Sequence, residues 1–217
     1  MNSALTPWMY SKIKKGDIRS MRKVLQLLSV VVVGIAVALM LISPELVLIF
    51  GSPKYREAVY VIPPVAASVF FIFIYNILSM PQFYYEKTQF LMAASMAAAG
   101  ANVVLNFIFI RLFGYIAAGY TTLACYMLYS VGHYIVSKRI LVNEGIQENL
   151  MNPGFLLACS VFLIGASIIC NLILCIRDRD PALRDSARKC RAGLLEERTS
   201  AEDDGGYPEK IKKWGRI

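Results

Sequence analysis

Asn102 and Asn106 lie four residues apart in an otherwise apolar stretch, so both amides fall on one helix face. An amide in such a setting has two uses. It can hydrogen-bond a neighbouring helix, a contact worth about 0.6–2 kcal/mol, or it can line a hydrated passage for something polar. Asn76 poses the same choice in another apolar stretch. Lys87 and Arg111 stand at the ends of apolar stretches. Each cation can meet an anionic ligand there, or Lys87 can stay a solvated loop charge while Arg111 snorkels along apolar surface. His133 is the single histidine; it can carry a proton or sit as a satisfied or interfacial ring. Glu45 follows Pro44 and reads as interfacial. Tyr75, Tyr84, Tyr85, Tyr120, Tyr126 and Tyr129 make no continuous stripe, and Tyr84 and Tyr85 are placed as interface anchors.

Covalent chemistry has no such candidates. The sequence holds no GxSxG, HExxH, glycine-rich phosphate loop or paired carboxylates inside its apolar stretches. Glu86 and Glu144 alone do not form an acidic cluster, so no enzyme, catalytic residue or cofactor is expected. Cys125, Cys159, Cys170, Cys175 and Cys190 show neither CxxC nor Cys/His ligand spacing, and neither metal nor disulfide is expected of them. The net charge of +8 does not point to nucleic acid, because the basic residues sit in loops and tails rather than on a folded surface.

The elements that must position these residues are apolar runs at about 24–43, 59–80, 90–110, 115–136 and 155–176. Each is near the roughly 20 residues needed to cross a hydrocarbon core. With 57% hydrophobic residues and a mean hydropathy of +0.52, the chain reads as all-α and polytopic, a transmembrane bundle of about five spans in a lipid bilayer. The first run is long and lacks a small-residue cleavage site, so no signal peptide is expected. Residues 1–23 are basic, and Leu5, Trp8, Met9 and Ile13 at helical spacing allow either a short interfacial helix or a frayed tail. Small residues at 93, 97 and 101, and at 95 and 99, predict a third span packed inside the bundle. The turn 111–114 is short enough to make the third and fourth spans an antiparallel hairpin.

With a cytoplasmic amino terminus, the segments 1–23, 81–89 and 137–154 carry nine basic residues, and 51–57 and 111–114 on the other side carry three. That obeys the positive-inside rule. Five crossings, however, put residues 177–217 outside, with 11 of the 23 basic and 9 of the 15 acidic residues. This charged tail reads as disordered or partly helical, and its position predicts a missing returning span.

Several stretches, read in order, resemble the carboxyl-terminal half of bacterial polysaccharide flippases, the O-antigen and exopolysaccharide exporters of the multidrug/oligosaccharidyl-lipid/polysaccharide superfamily. Ala4-Leu5-Thr6-Pro7-Trp8-Met9-Tyr10-Ser11-Lys12 with Gly16-Asp17 is similar to the end of a mid-protein helix and its cytoplasmic loop. Phe50-Gly51-Ser52-Pro53-Lys54-Tyr55-Arg56-Glu57-Ala58 looks like the turn after the next helix. Asn102-Val103-Val104-Leu105-Asn106, then Phe113-Gly114-Tyr115-Ile116-Ala117-Ala118-Gly119, resembles the following hairpin.

The resemblance implies half of a two-lobed flippase fold in the bacterial inner membrane, with the amino-terminal lobe missing. It implies a polyprenyl-diphosphate-linked oligosaccharide as cargo and inactivity of the lobe alone. It also implies a truncated or frame-shifted reading frame after about residue 174. Asn76, Asn102, Asn106, Lys87 and Arg111 are then the cavity candidates. Two alternatives remain: an exporter of drugs or peptidoglycan precursors from the same superfamily, or a membrane scaffold that transports nothing.

Overall fold

The computed structural model describes residues 2–50 and 58–179. The expected tail from 180 onward and the 51–57 loop lie outside them. Six helices follow one another: α1 (Asn2–Lys14), α2 (Ile18–Phe50), α3 (Ile62–Tyr84), α4 (Gln89–Phe113), α5 (Ala117–Asn143) and α6 (Pro153–Arg179). The chain divides at Asn171 into two compact units, and all packing given below lies within the first. The second begins at Leu172 and contains the last described turns of α6.

Four stretches, Ile18–Val47, Ala58–Tyr84, Gln89–Phe113 and Pro153–Arg177, are long and apolar enough to cross a bilayer. This is the pattern of a multi-pass membrane protein. The run expected at 115–136 becomes α5, whose 27 residues give it the length but not the apolarity. The reason is its company. α5 packs along both α3 and α4, and its Thr121, Ser130, His133 and Ser137 are buried against protein. A helix enclosed by other helices need not dissolve in lipid, so its polar residues survive.

α3 is the centre of the core. Ala66, Ala67, Phe70, Phe71, Ile74, Ile77 and Leu78 pack with Met21, Leu25 and Met40 of α2, Leu123 and Leu141 of α5, and Leu163 of α6. α3 and α5 run parallel, since Pro64 meets Gly119 near one end and Gln82 meets His133 near the other. The contact at Gly119 is close: an added Cβ would lie 2.8 Å from Pro64 Cγ and 3.1 Å from the Val61 carbonyl oxygen. Only a residue without a side chain lets the two helices meet there.

α1 is a helix, not a frayed tail. Its stripe buries Met9 and Ile13, and Tyr10 packs edge-on against Tyr84 at 5.4 Å, so it lies on the end of α3. α2 continues past Pro44, where the sequence suggested its far end. Proline cannot donate to the Met40 carbonyl. The Ser43 hydroxyl donates to that oxygen at 2.8 Å, and the Cys170 thiol of α6 approaches it at 3.5 Å, so the freed acceptor is satisfied.

Three helices end the same way. The amides of Asp17 and Gly16 reach back to Lys12 O and Ile13 O; those of Lys87 and Glu86 to Gln82 O and Phe83 O; those of Ile146 and Gly145 to Leu141 O and Val142 O. Each is a Schellman cap with a left-handed residue at its corner. Two corners are glycine; the third is Glu86, at φ 56°.

These caps lie at one end of the bundle, where ion pairs tie the segments together. Arg19 Nε bonds Glu148 at 2.7 Å, Arg22 holds the Asn149 carbonyl at 2.5 and 2.8 Å, and Lys87 meets Glu144 at 3.1 Å. The amino-terminal segment, the 85–88 loop and the 144–152 linker therefore share a side, as the charge pattern required.

α4 departs from expectation. It has no buried residue, and its main packing is on α5. Ala93, Ala97 and Ala101 are exposed, as are Ser95 and Ala99; the seam on α5 instead runs through half-buried Leu91, Ala94, Ala98, Asn102 and Leu105. Small residues permit close approach on any face, and the half-buried seam that α5 takes is the one that carries the amides.

Candidate functional site

Three residues on α4 (Ser95, Asn102 and Asn106) and two on α5 (Thr121 and Tyr129) set the polar edge of the α4–α5 hairpin. Asn106 Nδ2 donates to Asn102 Oδ1 at 2.8 Å, and the Thr121 hydroxyl donates to Asn106 Oδ1. The i, i+4 spacing thus produces a chain of three side chains across the two helices. Two turns toward the other end of α4, Ser95 and the Tyr129 hydroxyl are 2.7 Å apart. Both contacts hold the hairpin while leaving Asn102 facing a groove.

That groove, about 470 Å³, lies among α3, α4 and α5. Tyr75, Tyr126 and Tyr129 form its aromatic wall; Ala98, Ala99 and Asn102 form the opposite one. The rings of Tyr75 and Tyr126 are parallel to within 5°, with centroids 6.2 Å apart, and Tyr75 lies 4.7 Å from Tyr129. The sequence shows Tyr126, Tyr129 and His133 at i, i+3 and i+7, the spacing of one helix face. No continuous stripe was expected from the tyrosines, because Tyr75 completes the cluster from a different helix.

His133 underlies the aromatic wall. Its ring meets Tyr129 edge-on at 4.5 Å, Phe90 at 5.5 Å and Tyr75 at 5.9 Å. Its Nδ1 lies 2.8 Å from Gln82 Nε2, and both side chains are fully buried. Gln82 Nε2 also reaches Leu78 O at 3.4 Å. Gln82 Oε1 and His133 Nε2, the other polar atom of each side chain, are buried and meet no partner.

The five candidates do not converge. Asn102 faces the groove and Asn106 stands behind it. Asn76 donates to Ile72 O of its own helix at 2.7 Å. Lys87 is paired with Glu144 at the basic end, where burial, with Glu144 and Tyr84, pushes the neighbouring Tyr85 hydroxyl up from its ordinary range. Arg111 lies 4.2 Å over the Phe107 ring on the exposed face of α4, a cation–π contact rather than a groove contact. The groove lining therefore carries no charged side chain. Among the described residues, no group of three His, Cys, Asp or Glu could hold a metal ion, and Cys125, Cys159, Cys170 and Cys175 are free thiols.

Neutral donors and aromatic faces around an open groove can hold a hydroxylated, uncharged molecule by hydrogen bonds and apolar contact. They offer no nucleophile–base pair. No family model, curated protein or solved structure matches the chain.

Proposed function

We propose that the chain is the carboxyl-terminal lobe of a bacterial polysaccharide flippase, set in the inner membrane, where it helps move a polyprenyl-diphosphate-linked oligosaccharide between leaflets. The observation that carries this reading is a groove of tyrosines, Ser95 and Asn102 among helices whose outer faces are apolar. Burying an unpartnered hydroxyl or amide costs about 1–3 kcal/mol. A glycan with many hydroxyls cannot cross bare hydrocarbon, and a groove that carries hydroxyls and an amide at membrane depth lowers that barrier without making a bond.

The resemblance of 102–106 and 113–119 to the flippase hairpin supports the same reading, since Asn102 and Val103 of the first stretch line the groove. α5 is then a fifth crossing, admitted by its position between α3 and α4. The basic end, with Arg19, Arg22 and Lys87, faces the cytoplasm. Alternating access works by rocking one lobe against another, so a second lobe is needed to close the groove.

A strain lacking its polysaccharide flippase tests this directly. Residues 1–217 alone should leave surface polysaccharide absent, and the full-length gene should restore it. Failure of the full-length gene, with the protein present in the membrane, would overturn the reading in favour of a scaffold.

A further inference from the structure

We infer that the groove among α3, α4 and α5 is a subsite for the neutral sugar rings of the cargo and not for its diphosphate. This rests on the flippase reading above and adds which part of the substrate this lobe holds.

Three observations carry it. First, the aromatic wall is preformed: Tyr75, Tyr126 and Tyr129 are fixed against one another and against buried His133. A pyranose ring has a face of C–H bonds and a rim of hydroxyls, and the electron-rich face of a tyrosine complements such C–H bonds. Second, the opposite wall supplies what the rim needs. Asn102 keeps its NH₂ donors while its oxygen accepts from Asn106, and alanines at 98 and 99 leave space for a ring.

Third, charge complementarity excludes the other half of the cargo. A diphosphate needs cations or clustered backbone N–H groups, and the lining has no Lys or Arg. Arg111 is engaged with Phe107 and Lys87 with Glu144. An acyl or prenyl chain would have no use for the amide and hydroxyls.

The test uses the 217-residue chain in phosphatidylcholine nanodiscs, with tri-N-acetylchitotriose as the neutral probe and inorganic pyrophosphate as competitor. Saturation-transfer NMR should show transfer to sugar C–H protons. Pyrophosphate in excess should leave it unchanged. Tyr75→Leu and Tyr126→Leu should each weaken binding about tenfold, and the matching Phe variants, which keep the rings, should bind as the parent does. Circular dichroism confirms that all four variants retain their helices. Displacement by pyrophosphate, unchanged binding in the Leu variants, or no transfer from the parent chain to the sugar would each overturn the inference. The two readings fail separately. If the full-length gene carrying Tyr75→Leu and Tyr126→Leu exports polysaccharide normally, the subsite is wrong and the flippase stands. If the sugar binds in the groove but the unmodified full-length gene restores nothing, the subsite stands and the flippase is wrong.

Discussion

Gln82 and His133 meet at 2.8 Å across the α3–α5 contact, and neither side chain touches solvent. The pair places one hydrogen bond within helix–helix packing and leaves Gln82 Oε1 and His133 Nε2 buried without partners. Removing one partner orphans the other. Gln82→Leu is expected to destabilise the protein by about 1–3 kcal/mol, the cost of an unmet buried polar group. Gln82→Leu combined with His133→Phe should recover much of that loss, because no orphan remains. Thermal unfolding in detergent of the three variants and the parent checks this.

Gly119 sets how closely α5 approaches α3. Its missing side chain would meet Pro64 Cγ at 2.8 Å and the Val61 carbonyl at 3.1 Å. Neither can move far, since one is a ring in a helix's first turn and the other is backbone. Gly119→Ala should cost about 1–3 kcal/mol, the usual penalty for overpacking. A melting temperature equal to or above the parent's would contradict the described approach.

Glu86 occupies a left-handed corner at φ 56°, where Gly16 and Gly145 serve in the other two caps. A side chain there costs roughly 1–2 kcal/mol in backbone strain. Glu86→Gly should therefore raise stability by about 1 kcal/mol, with some of the gain lost to the freer unfolded chain. Glu86→Val should lower it. Denaturant titrations of the two variants give opposite shifts if the cap is as described.

Asp17 caps the start of α2 by accepting from the Ser20 amide at 3.2 Å, and its other oxygen bonds Lys12 at 2.6 Å. The Lys12 hydrogen bond first, and the Ser20 amide second, hold its carboxyl below the ordinary carboxylate range. A depressed folded-state value means the contribution is complete above the unfolded value and fades as pH falls through the folded one. The α1–α2 corner should thus show high amide protection, relative to the intrinsic exchange rate at each pH, at neutral pH and lower protection in acid below the usual carboxylate range. Asp17→Asn should remove that acid dependence at Lys12 and Ser20 while leaving the amides of α5 unaffected.

The ion pair between Lys87 and Glu144 is exposed on both sides, at 48% and 36%. Exposed pairs contribute about 0–1 kcal/mol. Lys87→Ala should leave the melting temperature nearly unchanged. It should also leave chitotriose binding in the groove unchanged, as the same NMR measurement would show.

The helices were legible because bilayer-length apolar runs dominate the local pattern; all five runs fall mainly inside described helices. Their ends were harder to read. α2 passes through Pro44 because Ser43 and Cys170 supply donors, and a sequence cannot reveal a donor arriving from another helix. The polarity of α5 followed from its neighbours, which its own residues do not name. The site divides in the same way. Asn102 and Asn106 were visible from spacing within one helix. Tyr75 joins Tyr126 and Tyr129 only because Gly119 and Pro64 set the register of α5 on α3. The exposure of α4 was hidden for a related reason: its alanines state that a close neighbour would fit, not that one is there.

α4 rests on the rest of the protein along one edge, through the line from Leu91 to Leu105, while Met92 and Met96 stand 61% and 77% exposed. Its outer half is consequently a handle. A spin label or dye hung at either position rides on a rigid rod, disturbs no contact the fold relies on, and reads the medium around the molecule rather than the molecule itself.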